Sequence, residues 1–226
     1  MKVVWRIIKR TLIAAFIIHA VLLLLFKWLN PPITITQFCS LLSGEGLKRD
    51  YVAYADISRH AKLAVIASED QLFANHHGFD FISIEKAMKH NEKHPNRVRG
   101  ASTISQQVAK NVFLWQGRSW FRKGMEVYFT FMIELLYSKE RILELYLNVI
   151  EMGKGIYGIE SASRAYFSKP AAKLTRTESA MIAACLPNPK LYKVKPMGRW
   201  VAKRHTWILK QMNQLEGDAD IQLLLK

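Results

Sequence analysis

Residues 56–80 read DISRHAKLAVIASEDQLFANHHGFD, and the fold turns on how the first half is taken. Ile57, Ala61, Ala64 and Val65 recur at helical spacing. That makes an apolar stripe along one side of a helix over Asp56–Ala67, not the alternation of a strand. Glu69 closes the run. A carboxylate at the end of an apolar surface is short of water, and desolvation favours its proton-bearing form, as a general acid or base requires. The competing reading is a charged helix terminus followed by a turn, and spacing alone allows both. Asp70, Phe73, His76 and Gly78 follow in a segment crowded with acids and histidines.

Working outward, the helical pattern continues. Asp80 can cap a helix over FISIEKAMKHNEK, which ends before Pro95. Residues 96–101 are a loop rich in arginine and glycine, followed by a helix over Ser102–Phe113. A longer helix covers Trp120–Tyr137, and Ser138 caps another over Lys139–Val149. Gly153, Gly155 and Gly158 mark a turn region. Thr175 and Glu178 form a T-x-x-E capping box before SAMIAACL, which Pro187 and Pro189 stop. The strand signal is confined to ITIT at Ile33–Thr36. The chain is therefore expected to be mainly α, with one domain and a short appendage in 226 residues.

The appendage is N-terminal. Leu12–Phe26 is apolar apart from His19, extended by Trp28 and Leu29, with Lys27 able to snorkel. Lys2, Arg6, Lys9 and Arg10 precede it, so the positive-inside rule puts the N-terminus in the cytoplasm and the remainder outside. The KWLNPPITIT that follows lacks the small residues of a signal-peptidase site, which favours an uncleaved anchor. The expected division is a cytoplasmic N-terminus at 1–10, an anchor at 11–29, a linker and membrane-proximal segment at 30–55, and a catalytic domain at 56–226. Of the formal charge of +15, the five cations at and before residue 27 supply +5 and leave +10 outside the anchor. Such a surplus suits phospholipid head groups or a phosphorylated substrate, and an exported topology argues against nucleic acid. Cys39 and Cys185 read as separate thiols.

Two further stretches carry chemistry. In RGASTISQQVAKN (Arg99–Asn111), Thr103, Gln107, Lys110 and Asn111 fall on one side of a helix, and Ile104, Val108 and Val112 on the other. Hydroxyl, amide and ammonium groups together can bind phosphate and sugar, although a solvated face has the same pattern. In RKGME (Arg122–Glu126), Arg122 and Glu126 lie one turn apart, as a surface ion pair would. A guanidinium can also fork onto a diphosphate. Three patterns are decoys. Ser83-x-x-Lys86 has no K-T-G or S-D-N triplet after it. His90 and His94 do not make H-E-x-x-H, and His76-His77 has no thiolate nearby. Arg204, far along the chain from these stretches, reads as a surface arginine.

Taken in order, these stretches resemble the family 51 glycosyltransferases, the peptidoglycan polymerases. ASEDQLFANHHGFD is similar to the family's first motif, RGASTISQQVAKN to its second, RKGME to its third, KERILELYLN to its fourth and ESAMIAACLPNP to its fifth. Ala101 and Ser105 stand where the second motif often has glycine and threonine. The resemblance implies a mostly helical, lysozyme-like large lobe and a smaller membrane-dipping lobe. Its implied substrates are lipid II as acceptor and glycan linked to undecaprenyl pyrophosphate as donor. Glu69 would be the base acting on the acceptor 4-hydroxyl, and Glu126 would assist on the donor side, with a divalent cation such as Mg or Mn at the diphosphate. Lys110, Arg122 and Lys123 would neutralise the leaving group. Thr103, Gln107 and Asn111 would hold the donor, while Asp70, Phe73, His76 and Gly78 would shape the acceptor side. The setting would be the bacterial inner membrane, catalytic domain in the periplasm, with cell-division or wall-synthesis proteins as partners. Two other readings stay open: a lysozyme-type or lytic hydrolase using Glu69 as acid, and a non-catalytic membrane-anchored scaffold.

Overall fold

The computed structural model describes residues 2–117 and 119–226. Eleven α-helices are found among them: α1 (Lys2–Leu25), α2 (Ile35–Leu42), α3 (Arg59–Glu69), α4 (Phe81–Lys93), α5 (Ile104–Phe113), α6 (Trp120–Leu136), α7 (Lys139–Val149), α8 (Ile159–Phe167), α9 (Arg176–Cys185), α10 (Arg199–Leu215) and α11 (Ala219–Leu224). Three short strands, β1 (Lys48–Arg49), β2 (Glu151–Gly153) and β3 (Ile156–Tyr157), form a sheet in the order β1-β3-β2. β1 runs parallel to β3 and β2 antiparallel to it. The expected mainly α class holds.

Local chemistry explains the helix starts. Ser58, Asp80, Thr103, Ser119, Ser138 and Thr175 each accept a backbone N–H from the first turn of the helix they precede. At Thr103 and Thr175 the capping box closes through Gln106 and Glu178. Two expectations are corrected. Ile33–Thr36 is not a strand, because Thr34 and Gln37 form a capping box that starts α2. The other concerns strand content: the glycine-rich region turns as expected, at Lys154 and Gly155, but between two strands, β2 and β3, with Gly155 and Gly158 at positive φ. The stretch expected as linker is held to the helical domain, Val52 N–H donating to Asn148 Oδ1 (2.9 Å) and Tyr54 N–H to Glu144 Oε1 (3.0 Å). Glu144 is thereby structural, as its apolar neighbours suggest.

Helices α3, α9 and α10 pack together, α5 packs against α6 and α7, and the two groups share one core through Leu63, Ile66, Phe73, Ile104, Val108 and Leu143. Burying each such side chain contributes on the order of 2 kcal/mol. The loop from Asp70 to Asp80 seals the join. The buried Asp70 carboxylate accepts the N–H of Ile104, the first residue of α5 (3.0 Å), and faces His76 Nε2 at 2.9 Å. His76 Nδ1 accepts the N–H of Gly78 (3.1 Å), so its proton is on Nε2 and is donated to Asp70. Thr103 Oγ1 donates to Gly78 O (2.7 Å). Lys139 Nζ donates to His76 O (2.6 Å) and lies 4.6 Å from the centroid of the Phe73 ring.

The helix α1 starts at Lys2, so it takes in the basic residues before the apolar run, and it gives way to a turn after Leu25. Its length and composition fit a single-pass membrane anchor. Arg141 on α7 grips the turn beyond it: Nε and Nη2 reach Phe26 O (3.1 and 3.0 Å), and Nη2 also reaches Leu29 O (2.7 Å). The last carbonyls of the helix itself, at Leu22, Leu24 and Leu25, accept backbone N–H groups of that same turn. Tyr137 donates to Leu23 O (2.7 Å), and Tyr128 meets His19 Nε2 at 2.9 Å.

Gly78 has φ +90°, and a Cβ there would lie 2.8 Å from Thr130 Cγ2 and 3.0 Å from Glu134 Cγ. Gly78→Ala is expected to cost roughly 1–3 kcal/mol, lowering the thermal midpoint by several degrees. Gly100→Ala, with nothing within 4 Å of the added carbon, should leave the midpoint unchanged in the same melting experiment.

Candidate active site

Glu69 ends α3, and its carboxylate faces donors, not the apolar surface that its place after LAVIAS suggests. Ser68 Oγ donates to Oε1 (2.8 Å) and Gln107 Nε2 to Oε2 (3.0 Å), while Arg204 Nη2 lies 3.6 Å from Oε1. Its side chain is 13% exposed, so the carboxylate stays within reach of a ligand. Tyr146 on α7, whose phenol burial holds well above its usual pKa, donates to Gln107 Oε1 (3.5 Å). That long contact orients the amide so that its nitrogen faces Glu69.

Beside Gln107 opens a cavity of about 130 Å³ lined by Ser102, Gln106, Gln107, Lys110, Arg122, Lys123 and Glu126. It holds three cations against one carboxylate. Glu126 is buried, with Arg122 Nη1 2.6 Å from Oε2 and Lys123 Nζ 2.5 Å from Oε1. The pair is thus an interior one, and the surface alternative for RKGME is set aside. Arg122 Nε is buried without a hydrogen-bond partner. Lys110 is pushed below the usual lysine range chiefly by burial, with Arg122 and Lys123 adding to the effect and Glu126 and Glu69 opposing it.

The structure therefore brings Gln107, Lys110, Arg122, Lys123 and Glu126 into one cavity and sets Glu69 against it through Gln107. The remaining expected residues lie behind the groove. Thr103 is not on the open face: it is the N-cap of α5 and spends its hydroxyl on Gly78 and Gln106. Asn111 donates to Gln107 O in its own helix (2.8 Å) and accepts from Gln116 (3.1 Å). Phe73 is fully buried core, and Asp70, His76 and Gly78 build the loop that carries the site. Ser102, Gln106 and Arg204 were not foreseen. Gln106 was legible as the fourth residue of a T-x-x-Q box, whereas Arg204 arrives by tertiary packing of α10 on α3.

The residues present do not make a resident metal site. Glu126 is the carboxylate lining the cavity and both its oxygens are engaged, and no cluster of three or more His, Cys, Asp or Glu side chains occurs among the described residues. Cys39 and Cys185 are free thiols, the latter buried and its pKa pushed up to about 11 by that burial.

Comparison with known proteins puts this mainly helical domain, with Glu69 beside its cationic cavity, among glycosyl-transferring enzymes. The sequence model of the transglycosylase family matches residues 35–213. The chain belongs to that family. It is 50% identical over 210 residues to a biosynthetic peptidoglycan transglycosylase of Aeromonas hydrophila subsp. hydrophila, covering 91% of this chain and 89% of the relative. A protein of the same description from Escherichia coli (strain ATCC 8739) is 56% identical over 173 residues, 76% and 72% of the two chains. One from Salmonella arizonae is 48% identical over 221 residues, 95% and 91%.

Lys110 gives a pH test. With its pKa lowered in the fold, it sheds its proton at lower pH than an unfolded lysine. The charged form therefore costs the fold stability below that window, a cost relieved as pH rises through it, while the cavity loses a cation over the same interval. The rate of glycosyl transfer is expected to fall on the alkaline side. Lys110→Arg should move that limb to higher pH, and Lys110→Met should lower the rate on the order of 100-fold, both read from pH–rate profiles.

Proposed function

We propose that this chain polymerises lipid II into β-1,4-linked glycan strands and releases undecaprenyl pyrophosphate, with Glu69 as general base. It is a peptidoglycan glycosyltransferase by family, and the substrates and residue roles are our reading. One observation carries it: the side chain of Gln107 both donates to Glu69 and lines the cation cavity. Base and cations therefore border one groove, as an attack at one face of a sugar with departure from the other requires.

Glu69 takes the proton from the acceptor 4-hydroxyl as that oxygen attacks the anomeric carbon of the donor. The bond from that carbon to the diphosphate oxygen breaks with inversion, and its electron pair leaves with the diphosphate. Lys110, Arg122 and Lys123 offset the charge gathering there, an electrostatic contribution that depends on placement in advance. Glu126 holds Arg122 and Lys123 in place. Asp70, Phe73, His76, Gly78 and Thr103 keep the base at the right height, and Asn111 fixes the carbonyl side of α5 near Gln107. A Mg or Mn ion, if used, would arrive on the diphosphate of the substrate.

Exposed apolar side chains support the membrane setting. Phe81, Ile82, Met88 and Val98 lie on and after α4, and Trp120 (92% exposed), Phe121, Phe131 and Leu135 lie on α6. They are not core, and an apolar surface of that kind suits contact with lipid. Together with α1 and its basic N-terminal residues, this favours an inner-membrane enzyme with its catalytic domain on the periplasmic side, where division or wall-synthesis proteins could meet it.

Purified full-length chain given labelled lipid II in detergent should make long glycan, and Glu69→Gln should make none while keeping its melting temperature and its association with vesicles. A chelator should leave polymerisation largely intact, since the chain's own cations face the diphosphate. Fragments released from mature sacculi without polymer would instead favour the hydrolase, and partner binding without any turnover the scaffold.

A further inference from the structure

Arg204 lies across the last turn of α3. Its Nη2 is 3.2 Å from Ser68 Oγ, 3.3 Å from Ser68 O and 3.6 Å from Glu69 Oε1. Trp200 and Trp207, on the same side of α10, bracket it, their ring centroids 5.8 and 5.7 Å from the guanidinium carbon. Trp200 in turn stacks on Tyr192 at 4.2 Å. The Arg204 side chain is 23% exposed, yet its Nε is buried without a partner. An arginine placed only to satisfy its own hydrogen bonds would not leave a buried donor idle.

We propose that Arg204 is a positioning residue for Glu69, acting through Ser68. The guanidinium donates to Ser68 Oγ, whose one hydroxyl proton goes to Glu69 Oε1 at 2.8 Å in preference to the more distant Ala183 O at 3.3 Å, while Gln107 takes Oε2. Each carboxylate oxygen then has a fixed donor, and the chain of donors from Arg204 to Ser68 to Glu69 polarises in one direction. The two indole rings hold the guanidinium planar to this relay, at the modest energy usual for cation–aromatic contacts. A carboxylate so held points an oxygen at the acceptor hydroxyl without having to be reoriented for each transfer. Glu69 also lies within electrostatic reach of Lys110 from α5 and of the Tyr146 phenol from α7, while Asp70, next in the chain, is turned to His76 and the Ile104 N–H.

This rests on the reading of Glu69 as base, and the two are tested separately. Arg204→Ala, Arg204→Gln and Arg204→Lys would be made in the full-length chain, and kcat and KM for labelled lipid II measured across pH. Arg204→Ala is expected to lower kcat roughly 10–100-fold with KM changed only a few-fold. Its acid limb should move to higher pH, because a carboxylate without its neighbouring cation binds a proton sooner. Arg204→Lys should restore part of the rate and of the limb. Unaltered kcat and acid limb in the folded Ala and Gln variants would overturn the proposal. So would an equal fall in all three variants with an unmoved limb and a lower melting temperature, since that describes packing alone. If Arg204→Ala does not fold, the limb of Arg204→Lys and Arg204→Gln decides. Polymer made by Glu69→Gln would remove the base itself, whatever the Arg204 variants do.

Discussion

A buried carboxylate that makes no contact with the cavity holds this site together. Asp70 joins the end of α3 to the first N–H of α5 and, through His76, to the turn at Gly78. A buried charge is tolerated only with partners of good geometry, and here the partners are a helix N-terminus, whose dipole favours an anion, and the His76 imidazole. The arrangement sets the distance between Glu69 on α3 and Gln107 on α5, on which contact between that carboxylate and the cavity depends. Ser105, Glu134 and Lys139 back the same loop from α5, α6 and α7, so three helices beyond α3 resist its movement.

Around that frame the charges are divided by task. One carboxylate, Glu69, is presented with donors on both oxygens, while the other, Glu126, is committed to organising cations. The cavity keeps an excess of positive charge that its own acid does not cancel, and burial makes Lys110 reluctant to carry its share. Any anion entering the cavity would relieve both, which ties its occupancy to the electrostatic state of the groove. The same charge distribution would give a hydrolase of finished glycan no evident benefit.

Much of this was legible in the chain. The helix starts at Asp80, Ser138 and Thr175 are local chemistry, written in a cap residue and its third neighbour, and they stand where the sequence puts them. Glu69 stood out as a charge closing an apolar run, Lys110 as part of one polar helix face and Arg122 and Glu126 as a pair one turn apart, whereas the roles expected of them came from the family resemblance. What escaped was settled by partners distant along the chain. Ile33–Thr36 has the composition of a strand, but Thr34 and Gln37 satisfy each other's backbone groups and start a helix instead. Thr103 sits in register with Gln107, yet capping took its hydroxyl. Arg204 carries no local signal at all, since only the packing of α10 on α3 brings it to Glu69. The apolar setting expected for Glu69 was true of its helix and not of its oxygens, because periodicity reports the face of a helix and is silent on what faces its last residue.

The fastening of α1 by Arg141, Tyr137 and Tyr128 has a consequence of its own. A leash of unstructured residues would let the groove tumble above the bilayer and meet lipid-linked sugars at every angle. Here side chains of the helical body reach α1 and the turn after it at several separate points, so the apolar mast is riveted to the body that carries the cavity instead of being strung from it.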